Sequence, residues 1–277
     1  MIPWSSLEMA RRTKIKGWRK IAAAAWGDPN DPQIFGDFEF DASNLLAFVE
    51  EAREATGVRL TLTTMVGRAL AKAFADNPDL NVHMHKSHFI HRDSVSIFFI
   101  VSASEGNELS GVKVDRADEK SALDIAGELS ERAQRIRTGD DVELGKTKKM
   151  IGSTPRRLLK WSIRFSAWLT TDRGVNLPQF GLPKEAFGSA MVTSVGMFGI
   201  GHAYAPLASY YRVPLLVLVG EVADKPWVID GEVVARPILN LTATIDHRYI
   251  DGYHASRLAR SVREYVEDPK RFEPPIT

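Results

Sequence analysis

Apolar and polar side chains alternate along Gln33-Ile-Phe-Gly-Asp-Phe-Glu-Phe40, the period of a strand with one buried face. The period then lengthens. Leu45, Leu46, Val49, Ala52 and Ala55 recur at helical spacing, Asp41 or Ser43 can cap the start, and Gly57 can close the end. A second helix is predicted from about Thr61 to Phe74, with Met65, Val66, Ala69, Leu70 and Ala73 on one side and Asn77-Pro78 as its stop. Val95–Val101 is a nearly continuous β-branched and aromatic run, and Ser121–Arg137 is an amphipathic helix with Ile125, Leu129, Ala133 and Ile136 inward. Further strands are predicted at 190–195, 215–219, 227–229, 233–235 and 239–245, with Asp230-Gly231 as a tight hairpin turn. A last helix spans about Tyr253 to Val266. The alternation of strands and helices predicts an α/β fold with a mixed sheet.

Composition narrows the class. The chain has 277 residues, 44% hydrophobic and 26% charged, which fits a folded globular protein, and no shift in composition marks a boundary, so one domain over 1–277 is expected. Lys and Arg number 36 against 35 Asp and Glu, too balanced for a surface that tracks nucleic-acid phosphates. The absence of cysteine removes disulfides, thiolate nucleophiles and Cys-ligated metals together, and a reducing cytoplasm is the expected location. The N-terminus is basic, but the apolar stretch behind it, 21–26, is too short for a signal-peptide core. Val213–Val219, the longest strongly apolar run, covers roughly a third of the ~20 residues a spanning helix needs, and reads as a buried strand.

One segment departs from this balance. Residues 145–173 carry eight Lys or Arg against Asp172 alone, a local charge of +7, which leaves −6 for the rest of the chain. At helical spacing Leu158, Trp161, Phe165, Trp168 and Leu169 fall on one face and Arg157, Lys160 and Arg164 on another. Such a helix suits either packing of its aromatic face on its own domain or a neighbouring subunit, or contact with an anionic membrane or an acidic partner.

Candidate chemistry is concentrated near the C-terminus. Leu241-Thr-Ala-Thr-Ile-Asp-His-Arg-Tyr-Ile-Asp-Gly252 is a β-rich run that ends at a histidine and passes through a short turn into the last helix. His247 would then sit at a strand end facing a cleft, where an imidazole can take a proton from a nucleophile. Asp251 could orient a neighbouring group or cap the helix. Elsewhere, 83–91 holds four of the seven histidines, which fits a metal site or, with no cysteine and only Asp93 near it in sequence, a solvated or interface strand. Asp224-Lys225 has the context of a lipoylated lysine, but its place before Pro226 reads as ordinary loop.

His-Arg-Tyr-Ile-Asp-Gly at 247–252 resembles the His-x-x-x-Asp-Gly signature of the chloramphenicol acetyltransferase-like superfamily, and most of all the catalytic domain of 2-oxoacid dehydrogenase acyltransferases. Val192-Thr-Ser-Val-Gly-Met-Phe-Gly-Ile200 is similar to the family's strand with a hydroxyl residue and a glycine-rich turn, and Arg-Lys-Ile-Ala at 19–22 to its N-terminal element. The resemblance covers about 15–140 and 185–270, with 145–173 as an insertion. In place of the family's Gly-Leu-x-x-Pro-Val stretch stands Glu105-Gly-Asn-Glu-Leu-Ser-Gly-Val112, a departure on the acceptor side of the pocket. The resemblance implies a two-layer sandwich, a mixed sheet covered by helices, in a homotrimer or larger trimer-based assembly whose sites lie between subunits. It implies acyl-CoA (coenzyme A) as substrate, and dihydrolipoamide on a separate lipoyl-domain protein, or a small hydroxylated molecule, as acceptor. His247 would be the general base, Thr193 or its neighbour Ser194 would donate to the oxyanion, and Asp251 would pair with Arg19 to support the histidine loop. No lipoyl or subunit-binding module is expected in this chain. A trimeric scaffold without catalysis is the rival reading.

Overall fold

The computed structural model describes residues 31–85, 88–103, 108–138, 156–177 and 183–276. In chain order the elements are β1 (Gln33–Asp41), α1 (Ser43–Thr56), α2 (Leu62–Asp76), β2 (Val82–His85), β3 (His88–His91), β4 (Ile97–Ala103), β5 (Glu108–Val114) and α3 (Ala122–Thr138). Then follow α4 (Arg156–Ala167), β6 (Ala190–Ser194), β7 (Leu215–Ile229), β8 (Glu232–Asp246) and α5 (Gly252–Glu267). Six strands form one sheet in the order β1-β8-β7-β6-β4-β5, and β2 and β3 form a separate hairpin. β6 runs parallel to both β4 and β7 and the other pairs are antiparallel, so the sheet is mixed.

Alternation along the strands decides what each face meets. Leu241, Ala243 and Ile245 of β8 and Val217 and Val219 of β7 join a core with α1, α2, α3 and α5. The opposite face holds Met191, Leu216 and Leu218, covered by Phe187 and by Ala203, Leu207 and Tyr211 of the segment after β6. On that second face β8 presents Asn240, Thr242, Thr244 and Asp246, all buried. The helix-covered mixed sheet expected from the sequence is the one observed.

Local details differ from the sequence reading. The four short strand signals between 215 and 245 merge into two fifteen-residue strands, because pairing resumes past a bulge between Val219 and Val222 and continues from Val222–Leu239 to Ile229–Glu232. Asp230-Gly231 is the hairpin turn, with φ of 52° and 87°. Lys225 therefore lies in a strand and not in a loop, ion-paired with Glu39. Neither Asp41 nor Ser43 is the N-cap of α1, which is Ala42; Asp41 accepts from Ser43 N at 2.9 Å one position further out.

The basic segment gives the plainest correction. In α4 and the helical turn Trp168–Asp172 that continues it, the aromatic face does not pack on its own domain: Leu158, Trp161, Phe165 and Trp168 are 55%, 60%, 45% and 40% exposed, whereas the body is met by Ala167, Thr170 and Thr171, each buried. The side that packs is small and polar because Ser166 and Thr170 satisfy their hydroxyls locally, Ser166 on Tyr211 at 3.2 Å and Thr170 on the Ser166 carbonyl at 2.9 Å.

Candidate active site

β8 delivers its last residue, Asp246, into the interior, and the chain turns immediately. The Asp246 carboxylate accepts from Arg248 N at 3.0 Å and Arg248 Nε at 2.9 Å, while its carbonyl accepts from Tyr249 N at 3.0 Å and Ile250 N at 3.2 Å. His247 stands at the crest of this turn, exposed, between a buried carboxylate and a buried tyrosine. Its backbone is thus fixed on both sides while its imidazole faces outward, the arrangement a general base needs.

Tyr249 was not singled out by the sequence reading. Its hydroxyl accepts from Met84 N at 3.0 Å and its ring lies 5.8 Å from that of Phe89, so the β2–β3 hairpin braces the histidine turn from outside the main sheet. Burial raises the Tyr249 pKa, only partly opposed by the Met84 bond, which keeps the hydroxyl neutral. A tyrosine inside the signature was the available signal, since a buried phenol seeks a partner.

Asp251 is the N-cap of α5. It accepts from His254 N at 3.0 Å, and Asp251 N donates to His254 Nδ1 at 3.4 Å, a reciprocal capping box. That backbone bond lowers the Asp251 pKa. The partner implied for it, Arg19, lies outside the described residues, as do 104–107 of the stretch that departs from the family pattern.

Thr193 and Ser194 end β6. Val192 belongs to the helix-side core and Met191 to the opposite cluster, so alternation puts Thr193 on the second face and Ser194 on the helix side. The glycine turn beyond them depends on contact distance: a Cβ on Gly196 would sit 2.4 Å from the Gly220 carbonyl oxygen, and one on Gly220 would sit 2.1 Å from that of Gly201. Within one chain the structure does not bring Thr193 to His247. Thr193 pairs with Leu218, which pairs with Thr242, and His247 follows five residues further along the antiparallel β8. The two are therefore separated by roughly 17 Å along the strand direction, with His247 past the end of β8 and Thr193 level with the middle of β1.

The histidine-rich strand pair carries acids that are remote in sequence. His83 Nδ1 lies 3.4 Å from Glu185, and His85 Nδ1 lies 3.7 Å from Asp172. Arg92 reaches the same Glu185 at 3.0 Å. Among the described residues no group of three or more His, Cys, Asp or Glu is placed to hold a metal ion. Burial alone would raise Glu185, but His83 and Arg92 outweigh it and hold the carboxyl at about 2, against 4.5 for an ordinary glutamate. A depressed carboxylate stabilises the fold above its ordinary pKa and ceases to as the pH falls through the folded value. Glu185→Gln should accordingly destabilise the protein by about 3 kcal/mol near neutrality, since it leaves the Arg92 charge buried without its partner. In urea titrations the gap between wild type and variant should close as the pH is taken from about 4.5 towards 2; a gap that does not change with pH would refute the assignment.

Comparison with known proteins adds the family context. A family model described as the catalytic domain of the 2-oxoacid dehydrogenases acyltransferase matches residues 8–143 and 184–273. The chain is similar to the dihydrolipoyllysine-residue acetyltransferase component of the pyruvate dehydrogenase complex of Bacillus subtilis, with 26% identity over 267 residues, covering 94% of this chain and 50% of that protein. The chain thus spans about half the length of the curated relatives it matches. Among solved structures, a probable dihydrolipoamide acetyltransferase from Listeria monocytogenes superposes with a TM-score of 0.66 at 22% identity, covering 98% of both chains. A dihydrolipoamide acetyltransferase from Azotobacter vinelandii superposes with a TM-score of 0.63 at 20% identity, covering 98% of this chain and 97% of that one. The catalytic mechanism of the latter has been investigated through a serine, a histidine and an asparagine four residues after it. These superpositions establish a common fold.

Proposed function

Because the chain belongs to the family of 2-oxoacid dehydrogenase acyltransferase catalytic domains, we propose that it moves an acyl group between coenzyme A and an acceptor thiol such as dihydrolipoamide carried on a separate lipoyl-domain protein. His247 removes the thiol proton as the sulfur attacks the thioester carbonyl. The Thr193 hydroxyl donates to the oxyanion of the tetrahedral intermediate. On collapse the coenzyme A sulfur leaves and takes the proton back from the imidazolium, so that one thioester is exchanged for another and no proton is lost. Asp251 keeps the turn and the head of α5 in register and moves no proton.

The observation that carries this reading is the setting of His247, an exposed imidazole on a turn held from both sides by Asp246 and Tyr249. The separation of His247 from Thr193 supports a site assembled from two copies, His247 of one facing Thr193 of the next in a trimer. Such a site has the sheet behind each group and a groove between subunits for the pantetheine arm.

Purified protein given acetyl-, propionyl- or succinyl-CoA should release free coenzyme A thiol at a rate that rises with added dihydrolipoamide. Thiol release no faster than the uncatalysed exchange for every pair of donor and acceptor would reject the reading. Among the described residues no helix is long and apolar enough to cross a membrane.

A further inference from the structure

α4 is the element that the acyl-transfer reading leaves without a task. Its sequence contains Arg156, Arg157, Lys160 and Arg164 and no acid. Trp161 stacks on Phe165 with ring centroids 5.2 Å apart and planes within 5°, and Phe165 meets Trp168 at 5.7 Å. With Leu158 they form a strip at successive i+3 and i+4 positions, on the side away from buried Ala167. The strip is edged by cations: the Arg173 guanidinium lies 5.0 Å from the Trp168 ring, and Arg164 lies 5.3 Å from that of Tyr210, itself 45% exposed. A soluble surface does not gain from three contiguous exposed aromatic rings, whose burial is worth more than that of any other side chains.

We infer that this strip is a docking surface for an anionic lipid bilayer, on which α4 lies in the plane of the headgroups. Two observations select this occupant. The aromatic rings and Leu158 face outward together on a helix already anchored by its other side, so the face can enter the headgroup and acyl boundary without any part of the fold opening. The sequence of α4 has four basic residues and no acid, which complements a negative surface. Tryptophan and arginine at the rim of an apolar strip also match the chemistry of the interface, where an indole or a guanidinium stays hydrated while its body is buried. The inference does not rest on the acyl-transfer reading.

The 277-residue chain is centrifuged with vesicles of phosphatidylcholine alone and with vesicles containing roughly a third phosphatidylglycerol, in low salt and in about 0.5 M salt. Anionic vesicles should retain it at least about tenfold better than neutral ones, and the excess should vanish in high salt. A double variant, Trp161→Ala with Phe165→Ala, should lose about tenfold in binding to anionic vesicles while keeping its circular dichroism, thermal midpoint and oligomeric state. Arg164→Glu provides a second test that leaves the rings in place, and should weaken only the salt-sensitive part. Equal retention on neutral and anionic vesicles, or undiminished binding by the double variant, would overturn the inference. A wild type that ignores both vesicles, with a double variant that dissociates into smaller species, would show that the strip is an interface between copies.

Discussion

Replacing His247 with alanine should lower acyl transfer by roughly 10²- to 10⁴-fold, the range for a positioned general base, and leave the thermal midpoint almost unchanged. The second half of that expectation follows from exposure. The imidazole is on the surface of the turn, while the hydrogen bonds that shape the turn come from the Asp246 carboxylate and carbonyl and from Tyr249, none of which the substitution removes. The loss should also depend on pH in a telling way. With the base gone, the residual rate should rise with pH as the acceptor thiol ionises on its own. A folded variant with near-normal turnover would rule out His247 as the base.

Thr193→Ala should cost about 3–4 kcal/mol in transition-state stabilisation with little change in acyl-CoA affinity, because the hydroxyl bond strengthens only as charge develops on the carbonyl oxygen. Ser194→Ala serves as the control, since strand alternation sends the two hydroxyls to opposite faces of the sheet. Loss of activity from the serine substitution and not from the threonine would exchange their roles. The same pair of sites allows a sharper measurement. If His247 and Thr193 act across a subunit boundary, His247→Ala and Thr193→Ala assemblies are each inactive, yet co-refolding the two in equal amounts should restore about a quarter of the sites, each partner being intact half the time. Verified mixed assemblies with no recovery would place both groups on one chain, against the roughly 17 Å that the strand register puts between them.

What could be read in the sequence was mostly local. Periodicity found β1, α1, α2 and α5 within a few residues, because each buries one face against a neighbour and shows that face in its spacing. The outer halves of β7 and β8 were legible only in part, at 227–229 and 233–235 with their hairpin turn, since Lys225, Pro226 and Arg236 break the pattern of a buried strand and pair as a ribbon beyond the rest of the sheet. The His247 turn was legible as a motif, but its supports were not. Tyr249 meets Met84 across 165 positions, Glu185 reaches His83 from beyond the basic segment, and Asp172 reaches His85 from within it. Long-range pairings of this kind leave no periodic trace. The aromatic strip of α4 was visible as a stripe, but a stripe gives no sign of which side faces the body; the small residues at 167, 170 and 171 decide that in the fold.

The pairing of β1 with β8 has a consequence for the living chain. Gln33 lies opposite Asp246, so among the described residues the first strand of the sheet waits for the last one to be synthesised. The β7–β8 hairpin closes through a two-residue turn and can form as soon as it leaves the ribosome, at low loop-closure cost. Before that moment β1 has no strand to pair with and α1 lacks the β8 surface it packs on, a state prone to association with other nascent chains. Closure of the sheet, formation of the His247 turn and capping of α5 by Asp251 therefore belong to one late event, and a ribosome stalled upstream of β8 holds a chain with neither a closed sheet nor a site.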